Sequence, residues 1–178
     1  MVAECLIFIA SFYVQDLPTA TEMNEVKVCL EEIPTALYDD IPYLVEFFDE
    51  ENLYTAMRIA WCESRGKSTA YRSSDDDSGI FQFIPRTWQW IQEMYGVPEW
   101  DTWVIMRFGR PHLEADTVYR TDFGFEFLPV QYVPYWNIKA ASHLAEDIYG
   151  KTTWNDWNSS RWCWEDENKW RNKWKSEN

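Results

Sequence analysis

The sequence predicts a mostly α-helical (α+β) fold with an irregular or β-hairpin insertion. Apolar residues recur at intervals of three and four in three segments, which is the period of an amphipathic helix. These three series are Leu53, Ala56, Met57 and Ala60; Trp88, Ile91 and Tyr95; and Ile138, Ala141, Ala145 and Ile148. Between the last two series, residues 97–136 lack that period and are rich in β-branched and aromatic residues broken by Gly and Pro. This stretch is the predicted insertion.

Start and stop signals accompany each helical series. The acidic run 49–51 precedes the first series and favours a helix N-terminus, where the macrodipole stabilises negative charge. Pro85 suits the first turn of the second helix, and Gly96 is typical of its end. Gly150 is the corresponding end signal after the third series. The spacing and the signals therefore agree on three helices.

Composition and charge narrow the functional classes. The chain has 178 residues, of which 18% are aromatic, and 12 of these are Trp. So much apolar surface can be buried that disorder is excluded over most of the chain. The net charge of −14 argues against nucleic acid as the main partner. Residues 1–57 hold twelve acidic side chains and one basic one, so the acidity lies mainly in the N-terminal third.

The N-terminal apolar run has three interpretations. Residues 5–14 are uninterrupted by charge but fall short of the ~18 residues of a membrane span, so we expect none. The length suits the apolar region of a signal peptide, which would make residues 1–20 a partial signal segment. Glu4 stands where a basic residue is expected, and no clean cleavage site follows. A buried strand or helix and a truncated start are the alternatives.

The cysteine pattern argues against a metal site. Four cysteines allow three pairings, and the sequence does not choose among them. There is no Cys-x-x-Cys motif, and His112 and His143 lie far apart in sequence. We therefore expect neither a metal nor another cofactor.

Glu63 stands out on the first predicted helix. It lies three residues after Ala60 and seven after Ala56, so it continues the apolar face of the helix. Burying a carboxylate costs several kcal/mol, roughly, unless the group is partnered or protonated. A partnered structural Glu or a frayed helix end would also explain this position, and the helix alone does not decide between these interpretations and a catalytic one.

A set of motifs around Glu63 resembles a known family. The motifs are Glu63-Ser64, a polar loop, Gly-Ile-Phe-Gln at 79–82, Pro85-x-Thr87, and a late helix that begins Asn-Ile-Lys-Ala-Ala at 137–141. They resemble the soluble lytic transglycosylase (SLT) and goose-type lysozyme family of the lysozyme-like superfamily. Glu63 precedes Gln82 by nineteen residues, a spacing similar to that of the family. The resemblance covers roughly residues 44–96 and 135–164.

The resemblance implies a lysozyme-like domain with a two-lobed groove and assigns roles to five residues. Glu63 is expected to be the catalytic acid, because cleavage of a glycosidic bond requires protonation of a poor leaving-group oxygen. Ser64, Gly79, Gln82 and Tyr135 are expected to bind substrate. Gly79 would allow the backbone to approach a sugar, and Gln82 offers both a donor and an acceptor. A structural role for the Gln82 amide is the alternative.

The expected reaction is cleavage of the MurNAc–GlcNAc β-1,4 bond of peptidoglycan. In a lytic transglycosylase, Glu63 would act first as acid and then as base, and a 1,6-anhydro-MurNAc end would form. In a hydrolytic lysozyme, a second carboxylate would position a water molecule. Asp75, Asp76 and Asp77 are the candidates for that role, although three consecutive Asp residues are also typical of a solvated turn. We favour the transglycosylase.

The resemblance also gives the cysteines a context. Cys62 precedes the expected catalytic residue, and Cys163 lies in a Trp-rich segment near the C-terminus. Our hypothesis is that a Cys62–Cys163 disulfide holds the C-terminal segment on the active-site helix. Cys5 and Cys29 would form the remaining pair.

Three regions are expected: an acidic N-terminal arm (1–43), a lysozyme-like catalytic domain (44–164, with the insertion 97–136) and a charged tail (165–178). We expect a monomer that acts on peptidoglycan glycan strands outside the cytoplasm, either secreted or periplasmic, or associated with a phage. A non-catalytic glycan-binding or virion structural protein that keeps the fold is the rival interpretation.

Overall fold

The computed structural model describes residues 2–12, 19–107, 110–111, 125–146 and 152–177. These residues form α-helices, short 3-10 helices and two small antiparallel sheets. The α-helices are α1 (Val2–Phe12), α2 (Ala20–Leu30), α3 (Ile41–Phe47), α4 (Glu50–Ser64), α5 (Pro85–Tyr95), α6 (Pro134–Ala145), α7 (Arg161–Trp164) and α8 (Glu167–Glu177). The 3-10 helices are Thr35–Asp40, Val130–Tyr132 and Asn155–Ser160. The predicted mostly α-helical fold is confirmed.

The strands lie in two places, the loop after α4 and the insertion between α5 and α6. Strands β1 (Tyr71–Arg72) and β2 (Asp77–Ser78) form a two-stranded sheet in the loop after α4. Strands β3 (Trp103–Arg107), β4 (Arg110–Pro111) and β5 (Phe125–Pro129) form the second sheet, in the order β4-β3-β5.

The second sheet shows that the insertion contains regular structure. Strand β3 pairs with β5 over its whole length, from Trp103 opposite Pro129 to Arg107 opposite Phe125. Antiparallel pairing of this kind is the β structure expected for the insertion. Helix α6 ends at Ala145, because Glu146 is extended, so the helix end predicted from Gly150 is wrong. Residues 108–109 and 112–124 of the insertion, and Ile148 and Gly150, lie outside the described residues.

The chain divides into two compact units. The first consists of residues 1–66 and 154–178, and the second of residues 67–153. The N-terminal segment predicted as an arm and the predicted charged tail both belong to the first unit. The region boundaries expected from the sequence, after residues 43 and 164, do not coincide with this division and remain proposals.

Helix α4 is the centre of the first unit. Asp49 caps its N-terminus by accepting a hydrogen bond from the Asn52 backbone N–H at 3.0 Å, and Glu50 and Glu51 occupy the first turn. Helices α1, α3 and α7 and the 3-10 helix Asn155–Ser160 contact α4. The four predicted core residues of this helix, Leu53, Ala56, Met57 and Ala60, are fully buried.

The N-terminal segment is packed into the same unit. Helix α1 contacts α2, α3 and α4, and its Leu6 is fully buried. A disulfide joins Cys5 to Cys29 and therefore α1 to α2. Thr19 begins α2 with a capping box, in which its hydroxyl and the Glu22 carboxylate satisfy each other's backbone N–H groups.

Aromatic packing attaches the C-terminal helix α8 to α4. The Trp170 ring meets the edge of Trp61 at 6.1 Å between centroids and stacks on Trp174 at 5.3 Å. Trp170 is fully buried, and Trp61 and Trp174 are almost fully buried. The Cys62–Cys163 disulfide joins the last turn of α4 to α7. The C-terminal segment is thus attached to α4 by aromatic contacts and by a disulfide bond.

The second unit is organised around α5 and α6. Pro85 occupies the first turn of α5, and Gly96 ends the helix in the left-handed conformation, with φ +69°. Trp88 of α5 is fully buried and donates its indole N–H to the Pro98 carbonyl at 2.8 Å. Where the structure describes the chain, it contains no helix of the length and apolarity that a membrane span requires.

The two disulfides give a prediction about stability. Replacing both Cys62 and Cys163 by Ala opens a loop of 101 residues, whereas the Cys5–Cys29 bond closes a loop of 24. Loop-closure entropy assigns about 5 kcal/mol to the longer loop and about 3 kcal/mol to the shorter one. Urea unfolding of the two double variants should therefore show the greater loss for Cys62→Ala/Cys163→Ala. Equal losses would contradict the entropic account.

Candidate active site

Glu63 lies one residue before the end of α4 and is half-buried. Two nearby side chains of the same helix have little contact with water, since Trp61 is 3% exposed and Ser64 is 7% exposed, while Cys62 is half-buried. The carboxyl group therefore occupies the rim of a buried helix face. Such a position combines access to a ligand with partial removal from water.

The backbone turns sharply directly after Glu63. Arg65 adopts the left-handed conformation, with φ 60°, and its backbone N–H caps the helix by donating to the Trp61 carbonyl at 2.8 Å. Gly66 follows with φ +71°, and a Cβ there would lie 3.0 Å from Ala36 Cβ and from Leu37 Cδ2. The turn that ends α4 thus packs tightly on the 3-10 helix Thr35–Asp40.

Ser64 has a structural partner within α4. It is buried, and its hydroxyl donates to the Ala60 carbonyl at 2.9 Å, one turn earlier in the same helix. Such back-bonding is typical of Ser within a helix. Its expected role in substrate binding remains a prediction, because the described hydrogen bond serves the helix.

Gly79, in the second unit, lies where no side chain fits. Its φ is +81°, and a Cβ would come within 2.1 Å of both Asn137 Nδ2 and the Gln131 carbonyl oxygen. The sequence pattern predicts a backbone that approaches a sugar at this position. The approach that the structure shows is to the protein's own α6 and to the 3-10 helix before it.

Asn137, on the first turns of α6, fixes the loop that holds the Gly-Ile-Phe-Gln motif. It is fully buried, and its Oδ1 accepts a hydrogen bond from the Phe81 N–H at 2.8 Å. Its Nδ2 donates to the carbonyls of Gln131 and Ser78, at 2.8 Å and 3.4 Å. One amide therefore satisfies three backbone groups, and the loop is held to α6 through them.

The two polar atoms of the Gln82 side chain differ in their hydrogen bonding. Its backbone is left-handed, with φ 53°, and its Nε2 donates to the carbonyls of Gly79 and Ala70 at 2.9 Å and 3.2 Å. Both N–H bonds of the amide are thereby used. Within the described ranges no hydrogen bond reaches its Oε1, and the side chain is half-buried. This oxygen is available to accept a hydrogen bond from a ligand.

The three Asp residues of the loop differ in environment. Asp75 and Asp76 are exposed in the turn between β1 and β2, where Asp76 accepts a hydrogen bond from the Tyr71 hydroxyl at 2.7 Å. Asp77 is only 4% exposed and binds the Arg72 guanidinium, which reaches its Oδ2 through both Nε and Nη2. The interpretation as a solvated turn fits Asp75 and Asp76. It does not fit Asp77, which is buried and forms an ion pair.

Tyr135 lies deeper than expected for a groove residue. It is 5% exposed and meets the edge of the Trp136 ring at 5.0 Å between centroids. The neighbouring Tyr132 is half-buried, and its hydroxyl accepts a hydrogen bond from Ser78 at 3.3 Å. The expected contact of Tyr135 with substrate stays a prediction. Glu63 and Ser64 belong to the first unit, whereas the predicted positions in the loop after α4 and in α6 (Asp75, Asp76, Asp77, Gly79, Gln82 and Tyr135) belong to the second.

Sequence reasoning missed three residues around these positions. Asn137 was part of the late-helix motif, and the presence of a polar residue among apolar ones at the start of that helix could have indicated a buried hydrogen-bonding role. Arg65 gave no signal, because Arg rarely adopts the left-handed conformation. Asp40, at the end of the 3-10 helix that packs on Gly66, is only 5% exposed, although two consecutive Asp residues are typical of a protein surface.

The pKa of the Asp40 carboxyl lies far above the usual value of an Asp. Burial raises the pKa of its carboxyl to about 8, and the charge of the adjacent Asp39 adds to the rise. The group is therefore protonated in the folded protein at neutral pH. In the unfolded chain an Asp loses its proton at about pH 4.

Replacement of Asp40 tests this shift. Between about pH 4 and pH 8 the unfolded chain binds fewer protons at this position than the folded protein, so the free energy of unfolding falls as pH rises. Asp40→Asn mimics the protonated acid and should raise the melting temperature at pH 8 by about 10 °C or more, with little effect near pH 4. Asp75→Asn, at an exposed Asp, is the control. Parallel pH profiles of wild type and Asp40→Asn would contradict the buried neutral carboxyl.

Two glycines provide a matched test of the loop geometry. Gly79→Ala places a methyl group against Asn137 and the Gln131 backbone, and we expect a loss of about 3 kcal/mol or more in the free energy of unfolding. Gly96 has a similar φ, +69°, but a methyl group there would have no atom within 4 Å, so Gly96→Ala should cost only about 1 kcal/mol of conformational energy. Chemical denaturation of both variants separates the steric cost of the added methyl group from the conformational cost of the left-handed backbone. Equal losses would refute the close packing at Gly79.

The comparisons with known proteins agree with the motifs. A family model described as the transglycosylase SLT domain matches residues 49–103, a span that includes Glu63, Gly79 and Gln82. No curated protein and no solved structure matches the chain. The family match supports a peptidoglycan-cleaving activity of the lytic transglycosylase type, which such domains exert outside the cytoplasm. Residues 49–103 are thus similar to the transglycosylase SLT domain, and the resemblance drawn from the motifs is confirmed.

Proposed function

We propose that the protein is a peptidoglycan lytic transglycosylase in which Glu63 acts as acid and then as base. The observation that carries this proposal is the position of Glu63, half-buried on the last turn of α4 and inside the span that matches the SLT domain. The substrate is the MurNAc–GlcNAc β-1,4 bond, and the product is a 1,6-anhydro-MurNAc end.

The reaction needs one carboxyl group in two protonation states. Protonated Glu63 donates its proton to the glycosidic oxygen, the bond from that oxygen to C1 of MurNAc breaks, and the GlcNAc 4-hydroxyl leaves. The Glu63 carboxylate then takes the proton of the MurNAc 6-hydroxyl, whose oxygen forms the new bond to C1. Atoms and charge balance without water, and Glu63 is again protonated for the next cycle.

Gln82 is proposed to bind the sugar through its carbonyl oxygen. Both of its N–H groups hold the backbone of its own loop, so the amide is fixed in orientation. A fixed acceptor loses little rotamer entropy when it binds a sugar hydroxyl or acetamido N–H. Gly79 contributes indirectly, since it lets this loop approach Asn137.

The single-carboxylate mechanism is favoured over hydrolysis by the state of the Asp residues. A carboxylate that positions water should have an oxygen directed at the attacking molecule and free of a strong cation. Asp77 is bound to Arg72, and Asp75 and Asp76 are exposed turn residues that accept hydrogen bonds from Ser74 and Tyr71. A hydrolytic lysozyme and a non-catalytic glycan-binding or virion protein are the alternatives that the experiment below separates.

The central test is product release from purified peptidoglycan by wild type, Glu63→Gln and Glu50→Gln. Glu50 is an exposed acid at the start of the same helix and serves as the matched control. We expect wild type and Glu50→Gln to release muropeptides equally and Glu63→Gln to lose at least about a hundredfold in rate, because an amide cannot donate the proton.

The products identify the reaction class. Anhydro-muropeptides from the wild type support the proposal, whereas reducing ends that have gained water would make the protein a lysozyme. Absence of products from folded wild-type protein would favour the binding protein. Equal rates for wild type and Glu63→Gln would remove Glu63 from the mechanism.

A further inference from the structure

We propose that Arg65 is a positioning residue for Glu63 and that Glu177, near the C-terminus, anchors it. Helix α8 then serves catalysis although it supplies no group to the substrate. The inference rests on the proposed function, because Glu63 is the residue it positions. All of the contacts that carry it lie within the first unit.

Arg65 covers the end of the helix that bears Glu63. The last carbonyls of a helix lack partners within the helix. The Arg65 Nη1 donates to two of them, the Trp61 carbonyl at 3.2 Å and the Cys62 carbonyl at 3.1 Å. The guanidinium carbon also lies 4.3 Å above the centre of the Trp61 ring. These contacts fix the two residues directly before Glu63.

Glu177 holds the guanidinium in this orientation. Its Oε2 accepts a hydrogen bond from the Arg65 Nε at 2.7 Å, 112 residues away in sequence. The two side chains are 38% and 40% exposed, and exposed ion pairs contribute little to stability. The ion pair therefore acts by orienting the side chain, since the planar guanidinium is bound through Nε to Glu177 and through Nη1 to the carbonyls of α4.

The anchor is itself rigidly attached. Helix α8 packs on Trp61 through Trp170, which also stacks on Trp174, and the Cys62–Cys163 disulfide joins α4 to the helix that precedes α8. The Arg65 side chain is thus fixed from the C-terminal segment, while its backbone ends α4. Each of these contacts restricts the turn on which Glu63 lies.

The backbone of Arg65 is in an unusual conformation for a residue with a side chain. Its φ of 60° disfavours every residue with a Cβ, and Gly is the usual residue at this position of a helix end. An ordinary cap would therefore be served better by Gly. The presence of Arg in this conformation is explained by the four contacts that its side chain makes with Trp61, Cys62 and Glu177.

Arg65→Gly separates a catalytic role from a capping role. Gly keeps the left-handed turn and removes the guanidinium, so we expect an unchanged melting temperature within about 3 °C. Misplacement of a catalytic group by about 1 Å costs up to 100-fold in rate. We therefore expect kcat to fall about tenfold, with KM within about twofold of the wild-type value.

Three further variants test the anchor. Glu177→Gln should lower kcat about threefold, and Arg65→Gly/Glu177→Gln should be no slower than Arg65→Gly, because the two residues act as one unit. Arg65→Lys keeps the positive charge without the planar guanidinium, so its kcat should lie between those of Arg65→Gly and the wild type. As a control, Glu165→Gln breaks the comparably exposed Arg161–Glu165 pair, which lies within the C-terminal segment, and should leave kcat unchanged.

The experiment measures kcat and KM for muropeptide release and, in parallel, amide hydrogen exchange at residues 62–66. Faster exchange and lower kcat in Arg65→Gly support the inference. Wild-type kcat in Arg65→Gly overturns it and leaves the proposed function intact. A fall in kcat that tracks a lowered melting temperature and that Arg65→Lys does not relieve overturns it as well. Absence of turnover by the wild type overturns the proposed function and this inference together.

Discussion

The burial of helix α4 is the constraint on which the first unit depends. Its apolar side packs against α1, α3 and the C-terminal segment, and its last turn is closed by Arg65 and Gly66. Glu63 lies where this buried surface ends. A carboxyl group in that position is held by a rigid helix, and catalytic groups on rigid elements are placed more accurately than groups on loops. The C-terminal helix and the disulfide extend the same constraint to the last residues of the unit.

In the second unit, a single buried amide has a comparable role. Asn137 satisfies three backbone groups around the motif at 79–82, and Gly79 makes that approach sterically feasible. Gln82 then uses its own N–H groups to close the loop, which leaves its carbonyl oxygen as the available polar atom of its side chain. A buried polar group with its partners complete is costly to disturb, so the motif keeps one geometry.

The sequence predicted the features that follow from local periodicity. The apolar series beginning at Leu53 and Trp88 mark α4 and α5, and Pro85 and Gly96 bound α5 as expected. The family resemblance came from Glu63, Gly79 and Gln82 at matching spacing, and a family model agrees with it. The division of the chain into two units was not readable, because it depends on contacts between residues that are distant in sequence.

The partners of individual polar side chains were also beyond the sequence. Nothing near Arg65 indicates that Glu177 binds it, and nothing in the acidic run containing Asp40 indicates that this member is buried. Asp77 has the same sequence context as its two neighbours, and only the fold brings Arg72 onto it. Each of these facts is a matter of tertiary packing, which local pattern does not encode.

The central claim is that a single carboxyl group, Glu63, cleaves peptidoglycan without consuming water. Digestion in water labelled with oxygen-18, followed by mass spectrometry of the released muropeptides, tests it most directly. The account predicts anhydro ends that carry no label. Labelled reducing ends from the wild-type protein would contradict it, because they would show that water, and not the 6-hydroxyl of the sugar, attacks C1.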